Sequence, residues 1–252
     1  MATADAGWSF CVVTDGRRPH KLRREIRSIR RLRIPVCEIL VAGSPPAHLD
    51  GVTAIVMHEA ASQGRLGAMR TALAQRARYE RLVVCDDDLI FRPDFRAGVE
   101  RHGDDFDALA VRVLNPDGTR YWDRCTLGGE RGHRLLDYDE SGDEGVYVSG
   151  AVSVLRRRVA LEVGWNPRLR FYEAEDVDFS RRLVAAGHRI EFCREASVLH
   201  DDVRYGQEGL VVRRHDGPEG RRHRNLSRLL RWRTLADGRI DWTLRQMGMR
   251  GA

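Results

Sequence analysis

Lysine is all but missing from this chain of 252 residues: Lys21 is the only one, and arginine carries the basic side of a net charge of +6. A balance of this sign suits anionic partners such as nucleotides, nucleic acid or an anionic lipid surface, and separates none of them. Long apolar runs are missing too. No stretch of 18 apolar residues occurs, so no transmembrane span is expected. Met1 to Asp5 lacks the basic-then-apolar pattern of a signal peptide. The cysteines number 5 and are scattered, with Cys11, Cys37, Cys85 and Cys193 inside apolar, strand-like runs. That pattern argues for reduced core thiols in a cytoplasmic protein, and no metal-type cysteine spacing is seen. Internal repeats and low-complexity segments are absent.

What is present suits a globular protein with a sizeable core, at 42% hydrophobic and 32% charged residues. Trp8 to Val13 reads as a first strand, with Thr14-Asp15-Gly16 as the turn at its end. Leu22, Ile26 and Ile29 share one face of a helix from about Pro19 to Leu32. Val36 to Val41 and Val52 to Met57 are further strands, and a helix carrying Leu66, Met69, Leu73 and Ala77 on one stripe runs to about Arg78. Strand, helix, strand, strand, helix, strand is the grammar of a mostly parallel, doubly wound α/β sheet. Further on, a helix from Phe95 leads into an apolar segment, Leu109 to Leu114, and residues 115–145 read as a long loop or irregular insertion. Tyr147 to Leu155 is strand-like, and Gly150 within it points to a close backbone approach.

The stretch that organises the rest is Leu82-Val83-Val84-Cys85-Asp86-Asp87-Asp88-Leu89-Ile90-Phe91. A short apolar run rich in β-branched residues reads as a strand buried on both faces, and it ends in three carboxylates. Adjacent aspartates repel unless something positive lies between them. A hard divalent cation is the natural candidate, because Mg²⁺ and Mn²⁺ take oxygen ligands and share them with a substrate's phosphates. Ligands of open α/β sheets collect at the carboxyl ends of strands, where these aspartates fall. The alternative is an acidic, solvated turn. A second informative block is Glu175-Asp176-Val177-Asp178-Phe179-Ser180-Arg181-Arg182, the start of a helix closed by Gly187. Acidic residues in a first turn also favour the helix dipole, so capping is the simpler reading of Glu175 and Asp176. Strand Arg189 to Cys193 and the segment Ala196 to Asp202, containing His200, follow.

Taken in order, these pieces resemble the GT-A-fold, nucleotide-sugar-dependent glycosyltransferases, most closely glycosyltransferase family 2. The resemblance spans about residues 8–202 and rests on Thr14-Asp15-Gly16, the Asp-x-Asp pair Asp86 and Asp88, the block from Glu175 to Arg182, and His200. It implies a Rossmann-like GT-A catalytic domain over 1–204, with a nucleotide-binding half at about 8–93 and an acceptor half at about 94–204. It implies a hexosyl- or N-acetylhexosaminyl-type transferase that uses a nucleoside-diphosphate sugar, most commonly of uridine, and Mn²⁺ or Mg²⁺. The acceptor would be a small molecule, a peptide or a glycan. Asp88 would bind the metal, Asp86 would hold the ribose or reach the metal through water, and His200 would be a third ligand. Asp87 belongs to the same donor site by position, as does Gly150. Asp176 matches the general base of inverting members, with Glu175 beside it. Triple-aspartate strand ends also occur in retaining GT-A enzymes, which need no such base, so the resemblance leaves the stereochemistry open. Thr14, Asp15 and Gly16 would contact the base. Arg65 or Arg70 would reach base or phosphate, unless either is simply a solvated helix face.

Residues 205–252 are the most basic part and read as a lid or helical tail whose arginines close over a diphosphate. Arg228-Leu229-Leu230-Arg231-Trp232 has the Arg-Trp but lacks the Gln of the family's processive signature, so a non-processive enzyme is expected. Two alternatives remain. A nucleotidyltransferase also uses paired aspartates, but normally shows a Gly-rich loop after the first strand, and Thr14-Asp15-Gly16-Arg17-Arg18-Pro19 has a single Gly. A nucleic-acid-binding protein built on the tail would interleave aromatics, and only Tyr205 and Trp232 lie near, so no nucleic-acid partner is expected.

Overall fold

The computed structural model describes residues 7–128, 132–142, 145–171 and 173–201; the expected lid at 205–252 and its Arg-Trp segment lie outside these described residues. Within them the chain runs β1 (Trp8–Thr14), α1 (Pro19–Arg31), β2 (Cys37–Gly43), β3 (Thr53–Val56), α2 (His58–Ser62), α3 (Leu66–Arg76) and β4 (Arg81–Asp86). It continues through β5 (Leu89–Phe91), α4 (Asp94–His102), β6 (Ala108–Leu114), β7 (Cys125–Gly128), β8 (Gly132–Leu135) and β9 (Val146–Tyr147). It ends in β10 (Val152–Arg156), α5 (Arg157–Val163), α6 (Glu175–Ala185) and β11 (Ile190–His200).

Among the described residues, 8 strands form the main sheet in the order β3-β2-β1-β4-β10-β6-β11-β5. The first four pair in parallel, as the strand-helix alternation predicts, while β10 is antiparallel to both β4 and β6, and β5 is antiparallel to β11. The sheet is therefore mixed in its second half. One result decides where the site lies: Thr14, Gly43, Asp86, Leu114 and His200 all end their strands at the same edge. β10 begins at that edge, where the Asp86 amide donates to the Ala151 carbonyl at 3.0 Å.

Both faces of the sheet are covered. Trp8, Phe10 and Val12 of β1 pack with Leu22, Ile26 and Ile29 of α1 and with Phe95 and Val99 of α4. Cys11 and Val13, pointing the other way, pack with Met69 and Leu73 of α3 and reach Phe179 and Leu183 of α6 through the same cluster. A strand buried on both sides must read as continuous apolar sequence, and β1 and β4 do. Edge-on rings link Phe10 to Phe91 at 5.3 Å and Phe91 to Phe95 at 4.7 Å. Phe91 thereby anchors the short strand just after the three aspartates, so the bend carrying them is held from both ends.

Residues 115–145 are not simply a loop. β7 pairs antiparallel with β8 and with β9, and so forms a second, small sheet. The expected strand Tyr147 to Leu155 is broken instead: β9 belongs to the small sheet, β10 to the large one, and the interruption carries Ser149 and Gly150 to the sheet edge.

Candidate active site

The aspartates sit where the sequence predicts, at the end of β4, and two arginines lie among them. Asp87 and Asp88 are buried. Asp87 accepts a hydrogen bond from the Thr14 hydroxyl at 2.5 Å and from the Arg18 guanidinium at 2.9 Å. The other arm of Arg18 donates to Asp88 at 2.7 Å. Arg70, on α3 and buried, donates to Asp86 at 3.3 Å, to Glu175 at 3.2 Å and to the Gly150 carbonyl at 2.7 Å. The positive charge demanded by three adjacent carboxylates is thus supplied from within the chain.

Burial pushes Asp86 up to about 8, against the pull of Arg70 and with a further push from the carboxylates around it. Burial also raises Glu175, which Arg70 partly offsets, and raises Asp87 despite Thr14 and Arg18. Behind the cluster, Glu25 of α1 is fully buried and accepts the Cys85 thiol at 3.2 Å. Burial holds its carboxyl well above the ordinary range, and the three aspartates add to the effect.

The Glu175 block reaches the same place from the far side of the sheet edge. Asp176 accepts the Gly150 amide at 3.0 Å and the Val177 amide at 2.9 Å. Gly150 leaves room for both acidic side chains: a Cβ would lie 3.2 Å from an Asp176 carboxylate oxygen and 3.4 Å from one of Glu175, closer than most Cβ contacts. By accepting the Val177 amide, Asp176 also satisfies a first-turn N–H of α6, as the capping reading expects, and Ala174 at the helix N-terminus sits in the left-handed region at φ 56°. Both acidic side chains face the site as well. Asp178 and Arg182 do a different job. Arg182 pairs with Asp178 at 2.9 Å and donates to the Val163 and Gly164 carbonyls at 2.7 and 2.6 Å, which ties α6 to the end of α5. A small cleft beside Arg70 and Asp176 is lined by Ser149, Gly150, Trp165 and Phe179, the last two stacked at 4.4 Å.

His200 ends β11, is buried, and places Nδ1 3.7 Å from Asp88. Among the described residues neither of its ring nitrogens has a hydrogen-bond partner, and Tyr121 meets the ring edge-on at 4.5 Å. A carboxylate facing an imidazole with both nitrogens unpartnered is a donor set that suits Mn²⁺. Among the described residues, however, no three His, Cys, Asp or Glu side chains form a ready-made cation cage. Asp86, expected as a further ligand, is engaged by Arg70 instead, because the Arg70 guanidinium is buried and needs carboxylates on its own side.

No protein-family model matches the sequence, and no curated protein matches it. Solved structures do. GalNAc-T7, in its crystal structure with UDP, GalNAc and Mn²⁺, aligns with a TM-score of 0.59 at 16% identity, over 83% of this chain and 45% of that one. TarS of S. aureus aligns with a TM-score of 0.55 at 14% identity, over 78% of this chain and 37% of that one. The chain has the GT-A fold. It spans less than half the length of either of these neighbours.

At the strand-end edge of this GT-A fold, Asp86, Asp87, Asp88, Thr14, Arg70, Gly150, Glu175, Asp176 and His200 come together as the sequence expects. Three others do not join them. Asp15 is exposed and pairs with Arg17, and Gly16 donates its amide to the Thr14 hydroxyl at 3.1 Å. Arg65 is half-buried at the start of α3 and makes no ion pair or side-chain hydrogen bond among the described residues. The Thr14 hydroxyl is committed to Asp87, so it braces the acidic cluster rather than reaching outward. Sequence reasoning missed Arg18 and Glu25. The only signal for Arg18 was its place, two residues after the Thr14-Asp15-Gly16 turn and just before Pro19. A glutamate at a core position of the α1 stripe was the signal for Glu25.

Among the described residues no helix is long and apolar enough to cross a membrane.

Proposed function

We propose that the chain is a metal-dependent glycosyltransferase that moves a hexosyl or N-acetylhexosaminyl group from a nucleoside-diphosphate sugar, a UDP-sugar first, to an acceptor hydroxyl. The observation that carries this reading is the meeting of two acidic segments, Asp86 to Asp88 and Glu175 to Asp176, on opposite sides of one arginine at the strand ends of a GT-A fold. GalNAc-T7, crystallised with UDP, GalNAc and Mn²⁺, supports the choice of uridine and of a divalent ion.

Asp88 and His200 are the side chains that would hold the ion, which when bound supplies positive charge for the departing diphosphate. Asp176 takes the proton of the acceptor hydroxyl as that oxygen bonds to the anomeric carbon and the bond from that carbon to the diphosphate oxygen breaks. The Gly150 amide and the Val177 amide fix the Asp176 carboxylate, and Arg70 holds Glu175 beside it. In this reading Glu175 is a positioning residue.

The test is release of UDP from a panel of UDP-sugars offered with Mn²⁺, for wild type and Asp176→Asn. We expect one donor to be turned over, and a loss on the order of a hundredfold or more in the variant. An Asp176→Asn enzyme as fast as wild type would remove the base from this account.

A further inference from the structure

Arg18 stands where a metal ion is wanted. Its guanidinium spans two carboxylates, with one arm 2.7 Å from Asp88 and the other 2.9 Å from Asp87. The backbone explains the placement. Arg18 precedes Pro19, the first residue of α1, and a residue before proline is kept out of the helical region. At φ −126° and ψ 56° it is outside the helix, and its side chain reaches Asp87 and Asp88 just past the end of β4. The two carboxylates are buried, whereas the Arg18 side chain is 33% exposed. The cation therefore sits at the mouth of the cluster and has a route to water.

We propose that Arg18 and the divalent cation are alternative counterions of Asp87 and Asp88, so that Arg18 sets how tightly the site takes metal. The inference rests on the reading of Asp88 and His200 as the ion's ligands. Two full positive charges a few ångströms apart, sharing one buried carboxylate, repel strongly in so poorly solvated a place. Arg18 holds Oδ2 of Asp88 and His200 faces Oδ1, so a cation between Asp88 and His200 would share the carboxylate with Arg18 and weaken its charge-assisted bonds. His200 is the second sign of an ion here: it is 4% exposed, its Nδ1 lies 3.7 Å from Asp88, and among the described residues neither ring nitrogen has a hydrogen-bond partner. Both arms of Arg18 go to Asp87 and Asp88, whereas a metal ion can take an imidazole nitrogen together with a carboxylate. The resident arginine then answers the charge of the aspartates and leaves the histidine waiting.

The experiment is titration of Mn²⁺ into the full chain, without nucleotide, read by the loss of the free-ion electron paramagnetic resonance signal. Wild type, Arg18→Gln, Arg18→Lys and the double variant Arg18→Gln, Asp88→Asn are compared. We expect Arg18→Gln to bind Mn²⁺ about tenfold more tightly than wild type, the loss of one charge-assisted pair. Arg18→Lys should fall between, since an ammonium cannot bridge both carboxylates with a fork. The gain should vanish in the double variant. Equal or weaker Mn²⁺ binding by both single variants would overturn the proposal, as would a failure of every protein to bind the ion. UDP release from donor sugars by wild type is a separate readout. A transferase that turns over its donor while Arg18→Gln leaves Mn²⁺ affinity unchanged would sink this inference and spare the proposed function.

Discussion

Arg70 is the side chain on which the two acidic segments converge. It is buried on α3, and its partners Asp86 and Glu175 come from regions of the chain far apart in sequence. Removing one member of such a set leaves charges stranded in a poorly solvated place, an effect of about 3–5 kcal/mol. We expect Arg70→Met to lose stability on that scale in urea denaturation; a loss well under 1 kcal/mol would mean that the network is looser than these distances imply. Glu25 carries a different signature. Its folded value lies well above its unfolded value of 4.5, so the folded chain keeps a proton that the unfolded chain has released. The stability it contributes is complete below the unfolded value and is lost as pH rises through the raised one. Glu25→Gln should flatten the fall in stability as pH rises above 4.5, measured by urea midpoints. An unchanged slope would show that another group titrates there.

At the scale of elements, α6 divides its motif between two tasks. Glu175 and Asp176 turn to the site, while Asp178 and Arg182 hold the helix to the end of α5. Arg182→Met should therefore cost about 1–3 kcal/mol of stability and leave nucleotide affinity within twofold of wild type. Gly150→Ala should do the reverse. The added methyl would crowd carboxylates already fixed by the Gly150 and Val177 amides and push them by a few tenths of an ångström, so turnover should fall on the order of tenfold while the melting temperature barely moves. This division also shows what could be read in advance. α1 and α3 announce themselves by apolar periodicity, and β1 and β4 by continuous apolar runs, because burial against a sheet imposes those patterns. The segment from 115 to 145 gave no such pattern, for a physical reason. It is organised by polar hubs: Arg124 donates to the carbonyls of Asp137, Glu140 and Gly142, and Asp123 accepts from Arg120 and Tyr138. Contacts to backbone carbonyls leave no periodic trace in sequence. Arg18 is illegible on the same ground, since one arginine among 43 basic residues carries no mark of its partners.

At the scale of the described fold, the parallel half of the sheet gathers Thr14 and Asp86 at one edge, and the mixed half returns Gly150 and His200 to it. The parallel pairing that the strand-helix alternation predicted accounts for the first pair. The antiparallel insertion of β10 between β4 and β6 was not predicted, and it is what brings Gly150 against Asp176. A site assembled this way needs the edge intact rather than any single loop, which is why the acidic residues could be placed from sequence before their partners could. The central claim is that this edge binds a nucleoside diphosphate through Asp88 and a divalent ion. Isothermal titration of UDP, GDP and dTDP, with Mn²⁺ and with EDTA, into wild type and Asp88→Ala tests it most directly. The account expects one nucleotide, UDP, to bind in Mn²⁺, to bind at least tenfold more weakly in EDTA, and to lose its Mn²⁺ dependence in Asp88→Ala. No binding of any of the three nucleotides by wild type, with or without the ion, would contradict it.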